Sequence, residues 1–236
     1  MKGLGIIPAR YGSTRFPGKP LTEINGKSMI RRVIDQAKKC SSLQDVWVAT
    51  DDERIFKHVE EYGCNVFYTS EECNSGTERI CELLPDFKND FDFVLNIQGD
   101  EPFVHVESLE ELSQALIASK TDIATLAVQI ENMAEANDSN RVKVVFSTSG
   151  RALYFSRSTI PFARNGEPEY FKHLGVYAYT TNALQQIKTL KPSSLEMTES
   201  LEQLRWLEHD LTISVVVTSH DSTGIDTPED LLKYQA

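Results

Sequence analysis

The chain alternates short apolar runs with amphipathic stretches. "GLGIIPA" at residues 3–9 has the continuous apolar character of a buried strand, and Ile30, Val33, Ile34 and Ala37 then recur at helical spacing. "DVWVAT" predicts a second strand. Thr50 followed by Glu53 predicts a capping box for a helix that carries Ile55, Phe56 and Val59 and stops at Gly63. "NVFYT" predicts a third strand, "TERICELL" a helix and "FDFVLNIQ" a buried strand, and a helix through Leu109, Leu112 and Leu116 leads into "DIATLAVQI". Strands and helices alternating at these lengths imply right-handed βαβ crossovers and a largely parallel sheet.

Near residue 140 the rhythm changes. "RVKVVFS", "RALYFS" and "HLGVYAYT" read as strands, with no helix between the first two, which predicts an antiparallel β insertion serving as a lobe over a site or as a dimer surface. Helices return at 182–190 and 199–209, followed by the strand "LTISVVVTS" and a last helix with Pro228 at its first position. The absence of repeats, low-complexity runs and Pro/Ser-rich linkers predicts one compact unit over 1–236, with the β-rich region at about 140–180.

Composition narrows the function. The 236 residues are 40% hydrophobic and 25% charged, as in an ordinary globule with a full core. A net charge of −11 argues against nucleic acid or an anionic membrane as partner. No apolar run approaches the ~20 residues that span a bilayer, and the short apolar core between Lys2 and Arg10 does not read as a signal peptide. Cys40, Cys64, Cys73 and Cys81 form no C-x-x-C pair, which predicts reduced thiols and a cytoplasmic protein. The histidines lack zinc-site spacing, and His58 and His209 read as surface residues.

Against this acidic background, no carboxylate occurs before Glu23, while Arg10, Arg15 and Lys19 crowd one loop. The loop runs to roughly 19 residues, where ~2–6 is typical of a βα connection. At the carboxyl end of a parallel strand it occupies the position where ligands bind. Gly12 and Gly18 permit close backbone approach, so successive N–H groups can form an anion nest beside the cations. Lys19, between Gly18 and Pro20, has a constrained backbone and an ammonium able to reach outward. A solvated surface loop is the plain alternative. Two look-alikes fail. Gly3 and Gly5 begin a strand without a third glycine opening a helix, and "GSTRFPGKP" has the wrong spacing for a P-loop, with Pro20 where a Ser or Thr should bind magnesium.

"PARYGSTRFPGKPL" closely resembles the loop of the cytidylyltransferases that activate 3-deoxy-manno-octulosonate (Kdo), the CMP-Kdo synthetases. The resemblance continues through "VATDDERI", "NSGTER", "NIQGDEPF", "ALYFSRSTIPFAR", "KHLGVYAY", "ESLEQLRWLE" and "GIDTPEDL", in family order across nearly the whole chain. Phe16 and Glu78 depart from "RLPGKPL" and "GTDR" but keep size or charge class. The fold implied is α/β: a nucleotide-diphospho-sugar-transferase-like, doubly wound mixed sheet with a smaller β-rich dimerisation region. The activity implied is transfer of CMP from CTP to the anomeric hydroxyl of Kdo, releasing pyrophosphate for lipopolysaccharide synthesis, with Mg2+ as cofactor and a homodimer as the assembly. Close relatives of the family act on 8-amino-3,8-dideoxy-Kdo. Another acidic sugar, or a non-catalytic nucleotide-binding regulator on the same fold, are the alternatives.

The resemblance also implies roles for residues. Arg10, Ser13, Arg15 and Lys19 meet the triphosphate, with Lys19 also catalytic. Ser75 and Gly76 form a cytidine-binding turn, which can equally be a helix-opening turn. Gln98 serves both nucleotide and sugar. Asp100 and Asp226 hold the metal; from the residues alone, each also fits a turn or a helix cap. Glu101 reads as a surface neighbour of Asp100. Arg157 and Arg164, flanking a proline turn, suit bidentate contact with the Kdo carboxylate, although arginines in such places are often surface residues. His173, Glu202 and Gln203 match positions lining the sugar site. Leu201, Leu204 and Leu207 form the buried stripe of their helix.

Overall fold

A computed structural model describes residues 1–12, 16–221, 224, 225, 227–232 and 234. The chain runs β1 (Gly3–Ala9), a 3-10 turn (Lys19–Leu21), β2 (Glu23–Ile24), β3 (Lys27–Ser28), α1 (Met29–Ala37), β4 (Leu43–Thr50), α2 (Glu53–Glu61), β5 (Asn65–Tyr68), α3 (Gly76–Phe87), β6 (Phe93–Asn96) and α4 (Val106–Ser119). It continues through β7 (Ile123–Ile130), α5 (Met133–Ala136), β8 (Lys143–Phe146), β9 (Ala152–Ser156), β10 (Tyr170–Thr180), α6 (Thr181–Ile187), α7 (Ser194–Glu199), α8 (Glu202–Glu208), β11 (Ile213–Val217) and α9 (Pro228–Leu232). Residues 1–110 and 222–236 form one compact unit, and 111–221 a second.

The first unit is the α/β half. β1 pairs in parallel with β4 on one side and β6 on the other, and β4 pairs in parallel with β5. Ile30, Val33, Ile34 and Ala37 are buried at the spacing expected of α1, and Leu4, Ile6 and Ile7 of β1 are fully buried. The cap of α2 is Asp52 rather than Thr50. Its carboxylate accepts from Arg54 N and Ile55 N, while the Thr50 hydroxyl accepts from Asp52 N one step earlier. A carboxylate is the stronger acceptor for the positive end of a helix. The C-terminal segment returns to this unit, where Ile225 and Leu231 pack with Ile24 and Met29. Thr227 caps α9, its hydroxyl accepting from Asp230 N at 3.2 Å.

The second unit is mixed. β11 runs parallel to β7, whereas β10 is antiparallel to β7 and to β8, and β8 is antiparallel to β9. This is the antiparallel insertion read from the change of rhythm. The single helix expected at 199–209 begins only at Glu202. Ser200 adopts a left-handed conformation (φ 52°) that separates α7 from α8. Together the units bear out an α/β fold with a mostly parallel sheet and a smaller antiparallel portion.

Candidate active site

In the first unit, three segments meet at the carboxyl ends of the parallel strands. β1 ends at Ala9 and delivers Arg10. Gly18 (φ 73°), whose N–H donates to Tyr11 O at 3.0 Å, then turns the chain into the one-turn helix bearing Lys19. That left-handed φ is a conformation glycine adopts at little cost. From β6 the chain passes through Gln98 and Gly99 to Asp100. A Cβ on Gly99 would lie 2.7 Å from the Pro8 carbonyl oxygen, so only glycine lets these two strand ends approach so closely. The third segment is the start of α3, where the Ser75 hydroxyl accepts from Glu78 N at 3.1 Å. Ser75 is therefore a helix cap, whatever else it contacts.

These segments enclose an open cleft of about 300 Å³ on which Arg10, Lys19, Ser75, Gly76, Gln98 and Asp100 converge. Lys19 does not reach outward as its sequence context suggests. Its ammonium folds back onto Asp100, Nζ to Oδ2 2.7 Å, with the lysine side chain 12% exposed and the aspartate 32%. The two most chemically committed residues of the cleft, far apart in sequence, thus form one ion pair. Glu101 is buried rather than a surface neighbour. Ser13, Arg15 and Asp226 lie outside the described residues.

Sequence reasoning missed Arg79, which lines the same cleft from α3 and is 3% exposed. Its guanidinium donates to Asp51 Oδ2 at 2.7 Å, to the Thr69 hydroxyl and to Ser70 O at 3.4 Å. The available signal was a charged residue set in the buried stripe of α3, beside Ile80 and one turn before Leu83. His58 is not a free surface residue either. It is half-buried, its Nε2 lies 2.7 Å from the Ser28 hydroxyl, and desolvation lowers its pKa.

Apart from Gln98, the residues expected at the sugar lie in the second unit. His173 on β10 is half-buried between Phe155 and Tyr177, and desolvation lowers its pKa to about 3. Its Nε2 lies 3.0 Å from the Thr125 hydroxyl. The same hydroxyl lies within hydrogen-bond distance of the carbonyls of Val176 (2.8 Å) and Leu174 (3.2 Å), so His173, Thr125 and the β10 backbone form one small polar network. Tyr177 meets His173 at a tilt and Trp206 of α8 edge-on; burial, with a smaller contribution from the charge of Glu202, pushes its hydroxyl well above its ordinary pKa. His173, Tyr177 and Glu202 are thereby associated, and Gln203 is buried beside them on α8.

The two arginines differ. Arg157 donates from Nε to Glu199 O (2.7 Å), from Nη1 to Ser139 O (3.2 Å) and from Nη2 to Ser200 O (3.3 Å). Its guanidinium holds the end of β9 to the junction of α7 and α8. Arg164 is exposed.

For a divalent cation, the described residues offer Asp100 as a hard oxygen donor, open on a polar cleft. No group of three or more His, Cys, Asp or Glu side chains able to hold a metal occurs among the described residues. Asp100 would therefore need phosphate oxygens and water beside it to complete the coordination of a divalent cation.

Residues 4–213 match the cytidylyltransferase family. Over 98% of its length the chain is 46% identical to the 3-deoxy-manno-octulosonate cytidylyltransferase of Cytophaga hutchinsonii, covering 95% of that protein. Over 96% it is 46% identical to the 8-amino-3,8-dideoxy-manno-octulosonate cytidylyltransferase of Shewanella halifaxensis, covering 94% of it. The fold superposes with a TM-score of 0.95, at 40% identity, on a CMP:2-keto-3-deoxy-manno-octonic acid synthetase complexed with CTP, covering 100% of this chain and 97% of the other.

Proposed function

Because the chain belongs to the cytidylyltransferase family of the CMP-Kdo synthetases, we propose that it transfers CMP from CTP to the anomeric hydroxyl of Kdo. The new bond joins the sugar oxygen to the α-phosphorus. The bond from that phosphorus to the β-phosphate oxygen breaks, and pyrophosphate leaves. The observation that supports this reading best is the convergence of Arg10, Lys19, Ser75, Gly76, Gln98 and Asp100 on one cleft at the strand ends.

Such a displacement depends on in-line positioning and on neutralising charge that develops on the phosphates. Arg10 and Lys19 supply the cations. Lys19 is held in the cleft by Asp100 before substrate arrives, so its ammonium needs little ordering when the triphosphate takes it up. Ser75 and Gly76 present the start of α3 to the nucleotide, with small side chains that leave backbone groups accessible to a pyrimidine. Asp100, with Asp226, would hold magnesium, which when bound neutralises phosphate oxygens and favours departure of the leaving group. On the second unit, neutral His173, Glu202 and Gln203 provide hydrogen-bonding groups for the sugar hydroxyls. The carboxylate of Kdo is assigned to Arg164, because Arg157 is engaged by three backbone carbonyls.

The protein is proposed to be a cytoplasmic homodimer. Its four cysteines are free thiols, and Leu153 (60% exposed), Phe162 (87%) and Met197 (67%) present apolar surface on the second unit. The similarity to the Shewanella halifaxensis enzyme supports a second reading, with 8-amino-3,8-dideoxy-Kdo as the acceptor. CTP-dependent pyrophosphate release measured with Kdo, its 8-amino analogue and a sialic acid separates these. The highest kcat/KM is expected for Kdo. Release with the sialic acid alone would overturn the assignment.

A further inference from the structure

The loop 69–75, which connects β5 to α3 and carries one wall of the cleft, has no strand or helix of its own. Three charged side chains of α3 hold it. Glu78 Oε2 accepts from Asn74 N at 2.7 Å and from Asn74 Nδ2 at 3.4 Å. The Glu82 carboxylate accepts from Ser70 N at 2.9 and 3.1 Å and from the Cys73 thiol at 3.1 Å. Arg79, between them, ties Thr69 and Ser70 to Asp51 just beyond β4. Thr69 N donates in turn to Thr50 O at 2.9 Å, continuing the β4–β5 ladder into the loop. Two of the loop's backbone donors, Ser70 N and Asn74 N, are met by carboxylates, the stronger class of hydrogen bond, while Thr69 N, Glu72 N and Cys73 N donate to neutral oxygens.

This is more fixing than an exposed connection needs. Glu82 and Asn74 are exposed, and a surface loop can satisfy such N–H groups with water at no cost. A loop held this way keeps its backbone groups at fixed positions without its own secondary structure, which is what reading the edge of a base requires. We infer that Glu78, Arg79 and Glu82 are positioning residues for nucleotide selection: they hold 69–75 in the shape that admits cytosine at Ser75 and Gly76. The inference rests on the reading of 75–76 as part of the nucleotide site.

Glu82→Gln is the informative variant, because it is exposed, keeps the side chain's shape and removes only the charge. Arg79→Lys tests the buried member, where loss of the planar fork weakens the bridge to Asp51. The KM for CTP is expected to rise about tenfold in Glu82→Gln, the effect of weakening charge-assisted bonds to the loop. The KM for Kdo and kcat should stay within about twofold, and the preference for CTP over UTP should fall. Hydrogen exchange of residues 70–76 should be slowed by CTP in the unmodified protein, and faster in the ligand-free variant. Failure of CTP to protect 70–76 would overturn the nucleotide-site reading. If CTP protects the loop but Glu82→Gln and a folded Arg79→Lys both keep normal KM and selectivity, the site stands and the positioning role is wrong. If Arg79→Lys does not fold, Glu82→Gln decides alone.

Discussion

Replacing Lys19 by alanine separates a catalytic role from a structural one, because the structure sets different magnitudes for the two. The ammonium makes a 2.7 Å charge-assisted bond to Asp100, yet that carboxylate is 32% exposed. A fully desolvated pair of this kind would contribute ~1.5–3 kcal/mol. With water at one partner, about 1 kcal/mol is the better figure for the ligand-free protein. In the reaction, the same ammonium faces charge developing on the phosphates, where losing one preorganised donor costs about 3–4 kcal/mol, a hundredfold or more in rate. Lys19→Ala should therefore lose at least a hundredfold in kcat/KM and only about 1 kcal/mol in urea unfolding. Lys19→Arg keeps the charge but not the compact head group, so it should recover the rate in part. In a cycle with Asp100→Asn, the stability effects should couple by about 1 kcal/mol, since each mutation removes the same bond. Near-normal turnover by Lys19→Ala would refute the catalytic role. A stability loss above about 3 kcal/mol would instead mark a structural lysine in a drier site than the structure indicates.

EDTA should abolish pyrophosphate release and added magnesium restore it, while Asp100→Asn should lose most turnover yet retain a cooperative urea transition; full activity in EDTA would exclude the metal. His173, with its pKa lowered to about 3 from 6.5 by desolvation, binds a proton in the unfolded chain before it does in the folded one. Its contribution to stability is thus complete above pH 6.5 and declines as pH falls toward 3, by up to about 1.4 kcal/mol per unit. His173→Gln should flatten that slope in urea melts between about pH 7 and about pH 5, and an unchanged slope would show that the imidazole titrates normally. Light scattering at micromolar concentration should give a dimer that Phe162→Glu weakens; a fully active monomer would remove the assembly proposal.

The cleft was legible in the sequence because parallel βα order places every strand's carboxyl end on one edge. A cation-rich loop after β1, a small-residue turn before α3 and a carboxylate after β6 must therefore face one another. What escaped reading depends on partners distant in the chain. Arg157 has the composition of a carboxylate ligand, but the carbonyls that occupy it come from Ser139, Glu199 and Ser200, brought to it only by the fold. Arg79 hid in an apolar stripe because Asp51, which neutralises it, and Thr69, whose hydroxyl accepts from it, lie elsewhere in the chain. Periodicity carried one helix through 199–209, but the left-handed turn at Ser200 is a backbone choice that periodicity does not register. Lys19 and Asp100 were each assigned to the site, yet nothing local revealed that they pair.

The transfer chemistry can be tested on the oxygen that joins sugar to phosphorus. Kdo equilibrated in ¹⁸O-water carries the label at its anomeric oxygen, and the reaction with unlabelled CTP can be run in the same water and followed by ³¹P NMR. Attack by the anomeric hydroxyl on the α-phosphorus predicts CMP-Kdo with ¹⁸O in the bridging position, seen as an isotope shift on phosphorus, formed together with pyrophosphate. CMP-Kdo with an unlabelled bridge, or no phosphorus-containing product beyond CTP itself, would contradict it.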